Sequence, residues 1–185
     1  MNKYLDNIMI ELPEKYKGTA VKPAVNHIVE VNENAKKLTE DTAQVFYIMA
    51  AKLLFLSMWA YPDILTSISF LMMHVREPGE DDGNKLARTM KYLKADEVRV
   101  LNLEYDGSGN MKWWVDAAFS VHHNMQSHTG GMLSLGKGAI YLAPTKQKLN
   151  MKSSTEEELV GIDDLIPLDY LDLLFSWSPG LHGEW

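Results

Sequence analysis

The sequence contains no cysteine among its 185 residues. Disulfide bonds and thiolate metal sites are therefore excluded, because both require cysteine sulfur. Long hydrophobic runs are also missing: the longest apolar stretch, Leu53–Ala60, is far shorter than the roughly 20 residues that a membrane-spanning helix needs. We therefore expect an intracellular globular chain, cytoplasmic or nuclear, that does not enter a membrane.

Basic residues are absent from the C-terminal end of the chain. The net charge is −7, and residues 155–185 hold eight acidic side chains and no Lys or Arg. Residues 111–154, in contrast, hold five basic side chains and one acidic. A local basic excess can contact a nucleic-acid backbone even when the total charge is negative. Scattered lysines are also typical of a solvated surface, so both interpretations stay open.

The first part of the chain is dominated by helical patterns. Residues 1–39 have few periodic apolar positions, and we expect them to be mostly extended. A capped helix is predicted from Thr39, and Pro62 predicts the start of a second helix that continues to Pro78. A third helix is predicted over Asp81–Lys94. The three helices are expected to pack as a small bundle. Its predicted core comprises Phe46, Met49, Ala50, Leu53, Leu54, Met58, Ile64, Ile68, Leu71, Met72, Leu86, Met90 and Leu93.

From Glu97 the spacing of apolar residues changes to a period of two, which is typical of strands. Glycine-rich turns at Asp106–Asn110 and Gly136–Gly138 separate the predicted strands. In the strand that contains Asp116, the alternation directs this carboxylate away from the apolar side. Strands are predicted over residues 98–103, 111–121, 129–135 and 139–143.

A helix is predicted to follow these strands. Ser153 with Glu156, or Ser154 with Glu157, forms a capping-box pattern that satisfies free amide groups at a helix start. Pro167 is expected to end this helix or to kink it sharply, because proline cannot donate the helical hydrogen bond.

Several segments of the chain resemble the RNase H part of copia-type retrotransposon polyproteins. The family has a W-V-D-A strand, an S-H-T-G-G hairpin and a helix start of the form K-Q-K-x-x-x-K-S-S-T-E-x-E-L-V-G. Two upstream segments are similar to the connection between reverse transcriptase and RNase H in the same polyproteins. The resemblance covers roughly residues 1–167. The matching segments are Trp114–Ala117, Ser127–Gly131, Lys146–Gly161, Arg76–Asp82 and Lys91–Lys94.

The resemblance implies an α+β chain in which N-terminal helices precede a truncated RNase H-like fold of antiparallel strands and one helix. Residues 1–95 would be a helical connection region. Residues 96–185 would be a partial RNase H-like domain whose tail is atypical from about residue 168. The family cleaves the RNA strand of RNA/DNA hybrids with divalent metal, Mg²⁺ or Mn²⁺. By the match, Asp116 is the strand ligand and Glu158 the helix ligand.

The resemblance also implies a nucleic-acid contact. The loop that leads into the matched helix carries the basic side chains, and it would lie along the phosphates of the hybrid. The residues assigned to this contact are Lys146, Lys148, Lys152 and Ser153.

Three departures from the family weigh against catalysis. Family members usually have a small residue at the position of Glu157, and they have a further strand with an essential aspartate after the helix. The chain also lacks the Tyr-x-Asp-Asp motif of reverse transcriptase. We therefore expect a fragment without nuclease activity of its own. The alternatives are a non-catalytic nucleic-acid-binding module and a decayed open reading frame without function.

Two further expectations concern association and other metals. Loss of neighbouring strands would leave an unpaired edge at the strand of Asp116, through which the chain could self-associate. The three histidines His122, His123 and His128 could bind a transition metal, but no regular element fixes their geometry. Loop histidines without a metal are the favoured interpretation.

Overall fold

The chain divides into two compact units in the computed structural model, Met1–Asn102 and Leu103–Trp185. The structure describes residues 2–10, 18–24, 28–32, 34–95 and 101–176, with the backbone alone for helical residues 166–176. The first unit is helical, and the second combines small antiparallel sheets with one long helix. The predicted α+β fold class is therefore confirmed.

The helical unit follows the predicted pattern closely. Thr39 lies in extended conformation at the N-cap position of the first long helix, as predicted, but its side chain makes no capping hydrogen bond. Glu40 and Asp41 in the first turn complement the helix dipole. The predicted third helix extends one residue further at each end. The α-helices are Asn2–Ile10 (α1), Glu40–Trp59 (α2), Leu65–Met72 (α3) and Glu80–Ala95 (α4), with a 3₁₀ turn at Pro62–Ile64 before α3.

The structure departs from the expected pattern at two segments of this unit. Residues 1–39 are expected to be mostly extended, and within them α1 forms a helix that buries Ile8 in the core. Tertiary packing stabilises this short helix. The helix that begins near Pro62 ends at Met72 instead of reaching Pro78. Its last turn tightens, since the amides of Met73 and His74 bond to carbonyls three residues back.

The core of the unit is built largely from the predicted residues. Met49 and Met90 are buried as predicted, but Met58 is 64% exposed, so its assignment to the core is wrong. Helix α2 has the length and apolarity to cross a membrane, although a core helix of a soluble protein passes the same test. The fully buried large side chains of the unit are Ile8, Phe46, Leu53, Leu56, Ile64, Ile68, Phe70, Leu71, Leu86, Met90 and Leu93.

The second unit contains two small antiparallel sheets. The strands are Glu104–Tyr105 (β1), Lys112–Ala118 (β2), His128–Ser134 (β3), Gly136–Lys137 (β4) and Tyr141–Lys146 (β5). β1 pairs with β4, and the larger sheet has the order β2-β3-β5. Gly107 and Gly109 adopt positive φ in the predicted turn before β2. Of the predicted strand 98–103, residues 98–100 lie outside the described part of the chain, and the prediction is wrong for residues 101–103, which are not in a strand.

Helix α5, Ser154–Ser176, packs on one face of the three-stranded sheet. Glycines at the contact allow the close approach. A Cβ at Gly131 would lie 2.5 Å from Leu165 Cδ1, and a Cβ at Gly161 would lie 3.3 Å from Thr129 Cγ2. Of the two expected effects of Pro167, an end or a sharp kink, the end is wrong, since the helix continues for nine residues beyond this proline. A proline removes one amide donor, and the hydrogen bonds of the other helical residues can still form.

The face assignments in β2 follow from this packing. Ala117 lies beside Gly161 of α5, and Trp113 shares its side of the strand. Val115 lies on the same side but is 36% exposed, because its cross-strand neighbour is Gly131. Asp116 is exposed, in agreement with its predicted direction away from the apolar side.

Substitution of Gly131 tests the contact between α5 and the sheet. Gly131→Ala is expected to lower the free energy of unfolding by about 1–3 kcal/mol, because the new methyl group overlaps the buried Leu165. Gly130→Ala is the matched control, since the nearest atom to its Cβ is 3.8 Å away. Urea unfolding followed by tryptophan fluorescence measures both. Equal effects of the two substitutions would contradict the docking described above.

Candidate functional site

The start of α5 is fixed by the predicted capping box. The amide of Glu156 donates to Ser153 Oγ at 3.3 Å. The carboxylate of Glu156 accepts in turn from the amide of Lys152 at 2.8 Å. Of the two capping patterns in the sequence, the one formed by Ser153 and Glu156 is therefore present. The sequence also assigns Ser153 to a nucleic-acid contact. In the structure its hydroxyl oxygen accepts the hydrogen bond that caps the helix.

A buried glutamine connects this helix start to the sheet. Gln147 follows β5 and is 1% exposed. Its Nε2 donates to Thr129 Oγ1 at 2.9 Å and to the carbonyl of Glu157 at 3.1 Å. The backbone amide of Gln147 donates to the carbonyl of Ser127 at 2.9 Å. One side chain therefore joins β3, the end of β5 and the first turn of α5.

The carboxyl group of Glu157 is buried in the same region. Glu157 is 1% exposed, and neither of its oxygens has a hydrogen-bond partner among the described residues. Burial raises its pKa above 4.5, and the carboxylates of Glu158 and Asp116 raise it further. The Ser127 hydroxyl, which is outside hydrogen-bonding geometry, lowers the pKa by a smaller amount. The neutral acid is therefore favoured more strongly here than in water.

The two predicted metal ligands are on different elements. Asp116 is exposed on β2 and Glu158 is exposed on α5. The charges of both carboxylates raise the pKa of Glu157. No group of three or more His, Asp or Glu able to hold a metal ion occurs among the described residues. The donor set present does not fit a two-metal centre, which needs ligands that fix both ions.

The predicted basic contacts differ in exposure. Lys148 and Lys152 are exposed, whereas Lys146 is half-buried in β5. Burial lowers the pKa of Lys146 from 10.5. Its charge in turn disfavours protonation of the neighbouring His128. Lys148 and Lys152 are therefore the members of the loop best placed to meet an external anion.

Two of the three histidines pack together. His122 is buried, and its Nε2 lies 3.2 Å from Nδ1 of His128. Burial and then the charge of Lys146 lower the pKa of His128 below 6.5. His123 is exposed and lies apart from this pair. The two rings are within hydrogen-bond distance, and which nitrogen donates depends on the tautomer of each ring.

Clefts in the helical unit are lined by other residues. One is lined by Lys36, Thr39 and Glu80, and another by Lys85, Arg88 and Lys91, among others. Neither cleft contains a residue that the sequence assigned to a site.

No protein-family model matches the chain, and neither a curated protein nor a solved structure is significantly similar to it.

Sequence patterns did not identify the most buried polar residues of the site. Gln147 and Thr129 lie inside the segments that carry the resemblance, but the sequence assigns no role to either. Glu157 is named as a candidate capping residue and as a departure from the family, and neither reading predicts its burial. The available signal was helical spacing, because Glu157, Gly161 and Leu165 are four residues apart and share the buried side of α5.

Removal of the Glu157 charge should stabilise the protein at neutral pH. The folded-state pKa is raised, so the stability that Glu157 contributes is fully present below pH 4.5 and is lost as pH rises through the folded pKa. Glu157→Gln should therefore raise the free energy of unfolding by about 1 kcal/mol at pH 7. Urea denaturation at several pH values measures the effect.

Glu156→Gln is the control for this substitution. Glu156 is exposed and its carboxylate accepts a backbone hydrogen bond, so its neutralisation should give no gain in stability. Two results would contradict the claim that the buried Glu157 carboxylate destabilises the protein. One is a loss of stability at pH 7 in Glu157→Gln, and the other is an equal gain in Glu156→Gln.

Proposed function

We propose that the second unit derives from an RNase H-type domain of a copia-type retrotransposon polyprotein and has no nuclease activity alone. The observation that supports the proposal is the docking of the capped helix α5 on β2, because the resemblance places Glu158 and Asp116 on these two elements. These are the two residues that the resemblance assigns to metal. RNA/DNA hybrid is the substrate class, and Mg²⁺ or Mn²⁺ the metal, that the family implies.

The residues present argue against cleavage by this chain. Ala117 lies beside α5, whereas Asp116 lies on the opposite side of β2. An ion shared by Asp116 and Glu158 would therefore lie around the free edge of β2 and not between helix and sheet. Two exposed carboxylates can hold one hydrated ion loosely, because magnesium retains waters readily. They cannot fix the pair of ions required on either side of a scissile phosphate.

A second candidate function is weak nucleic-acid binding without catalysis. The exposure of Lys148 and Lys152 beside the start of α5 favours it. Both ammonium groups lie in the segment that has the local basic excess, and the dipole of a helix N-terminus also attracts phosphate.

Salt dependence tests this binding function. Affinity for an RNA/DNA hybrid should fall as salt is added, because each lysine–phosphate contact releases counterions. The double substitution Lys148→Gln and Lys152→Gln should reduce the slope of log K against log salt by roughly 1–2. Lys137→Gln is the control, since this lysine is bonded to Glu104 at 2.6 Å. Binding that does not depend on salt, or none even at low salt, would exclude the function.

A chimaera tests the nuclease ancestry. The unmodified chain with Mg²⁺ or Mn²⁺ should not cut a hybrid. A chain in which a family-like segment with a strand aspartate follows Pro167 should cut it, because a third carboxylate can then complete the metal site. We expect this activity to be lost in Asp116→Asn and in Glu158→Gln, and to persist in Glu156→Gln and Glu157→Gln. Robust cleavage by the unmodified chain, or a chimaera that tolerates Glu158→Gln, would overturn the assignment.

A further inference from the structure

The outer edge of β2 is the more open of the two edges of the larger sheet. The described strands have the order β2-β3-β5, so β2 and β5 are its edges. β5 contains Pro144, which lacks an amide donor and therefore disrupts pairing along that edge. β2 has no proline over Lys112–Ala118. Its outward amide and carbonyl groups can pair with an added strand.

Both sides of this edge expose apolar surface. Trp114 is 47% exposed on one side of β2, and Val115 is 36% exposed on the other. An added strand would cover part of each side chain, and this burial would add to the hydrogen bonds between the strands.

The side chains of β2 are complementary to those of a second copy of the same strand. Lys112, Trp114 and Asp116 lie on one side of the strand, and all three are exposed. If two copies pair antiparallel about Trp114, each Lys112 lies opposite an Asp116 and the two Trp114 side chains are neighbours. Opposite charges across an antiparallel pair are stabilising.

We propose that the chain forms a symmetric dimer in which β2 pairs antiparallel with β2 of a second copy, with Trp114 at the two-fold axis. The two three-stranded sheets then become one sheet of six strands. The interface is isologous, as in most homodimers, because the same residues contribute from both copies. The proposal rests on the edge of β2 and does not depend on the proposed nuclease ancestry.

Other registers lose the charge complementarity. A two-fold axis at Val115 would place Asp116 opposite Trp114 and Lys112 opposite Ala118. Parallel pairing in register would place Lys112 beside Lys112 and Asp116 beside Asp116 of the second copy, and like charges side by side are unfavourable. Lys112 already contacts Asp106 within its own chain, but an ammonium group has three donors and can bond to a second carboxylate.

Disulfide cross-linking can test the register directly, because the chain has no cysteine of its own. Trp114→Cys should form a disulfide dimer under mild oxidation. Residues directly opposite in an antiparallel pair have Cα atoms about 4.5–5.5 Å apart, within the range that a disulfide spans. In this register Lys112 of one copy lies opposite Asp116 of the other, and Lys112 and Asp116 are four residues apart in each strand. The two Lys112 residues of the dimer are therefore roughly 13 Å apart, and so are the two Asp116 residues.

Lys112→Cys and Asp116→Cys should therefore not cross-link when either is present alone. An equimolar mixture of the two variants should give the mixed disulfide dimer. Equal cross-linking of every variant, or no preference for Trp114→Cys, would overturn the register.

Charge reversal provides a test that leaves Trp114 intact. Sedimentation equilibrium should show a dimer for the unmodified chain, and a strictly monomeric chain would overturn the proposal. Lys112→Glu and Asp116→Lys should each raise the dissociation constant of the dimer by roughly tenfold, because like charges then lie opposite each other at two symmetric positions. The double variant should restore dimerisation, since its charges are complementary again.

Circular dichroism of each variant separates loss of pairing from loss of folding. Folded single variants with an unchanged dissociation constant would overturn the proposed register, as would a folded double variant that stays monomeric.

Discussion

The hydrogen bonds of the Gln147 side chain join helix α5 to the larger sheet of the second unit. Its amide nitrogen bonds to Thr129 in β3 and to the carbonyl of Glu157 in α5, and all of these groups are buried. A buried donor that loses its partner costs about 1–3 kcal/mol, so the arrangement is strongly preferred over partly bonded alternatives. The first turn of α5 is thereby fixed over the sheet. The positions of Glu157 and Glu158 follow from it.

The close packing of α5 has an electrostatic consequence. The helix start brings three consecutive acids to the sheet, where Glu157 is buried without a hydrogen-bond partner among the described residues. Its raised pKa reflects both burial and the charges of Glu158 and Asp116. A divalent cation or a proton would relieve this repulsion. Pairing between two copies of β2 would engage Asp116 with a lysine instead, so a metal ion and a second copy would compete for one carboxylate.

The sequence predicted the local structure well where the signal is chemical and short-range. The helix start at Thr39, the Ser153–Glu156 capping box and the glycine turn before β2 are all present, because each depends on a few neighbouring residues. Helix α1 escaped prediction because its stability comes from packing Ile8 into a distant core. The continuation of α5 through Pro167 likewise contradicts a rule that considers one residue alone.

The candidate site could be predicted only in part for the same reason. Alternation in β2 placed Asp116 on the exposed side, and the resemblance selected Glu158, but neither could show which acid is buried. The burial of Glu157 depends on the contact between α5 and the sheet, which involves Gly131 and Gln147 from elsewhere in the chain. Helical spacing aligns Glu157 with Gly161 and Leu165 on one side of α5, but spacing alone does not show that this side faces the sheet.

Hydrogen exchange in Gln147→Met tests the central role of this glutamine most directly. The substitution keeps the side-chain volume and removes both donors. The amides of α5 near Gly161 should exchange roughly 10-fold to 100-fold faster, because loss of the two hydrogen bonds makes local opening of the helix easier. The amides of α2 and α4, in the other unit, should keep their exchange rates. Unchanged protection of α5 in this variant would contradict the account, since the helix would then be held on the sheet without Gln147.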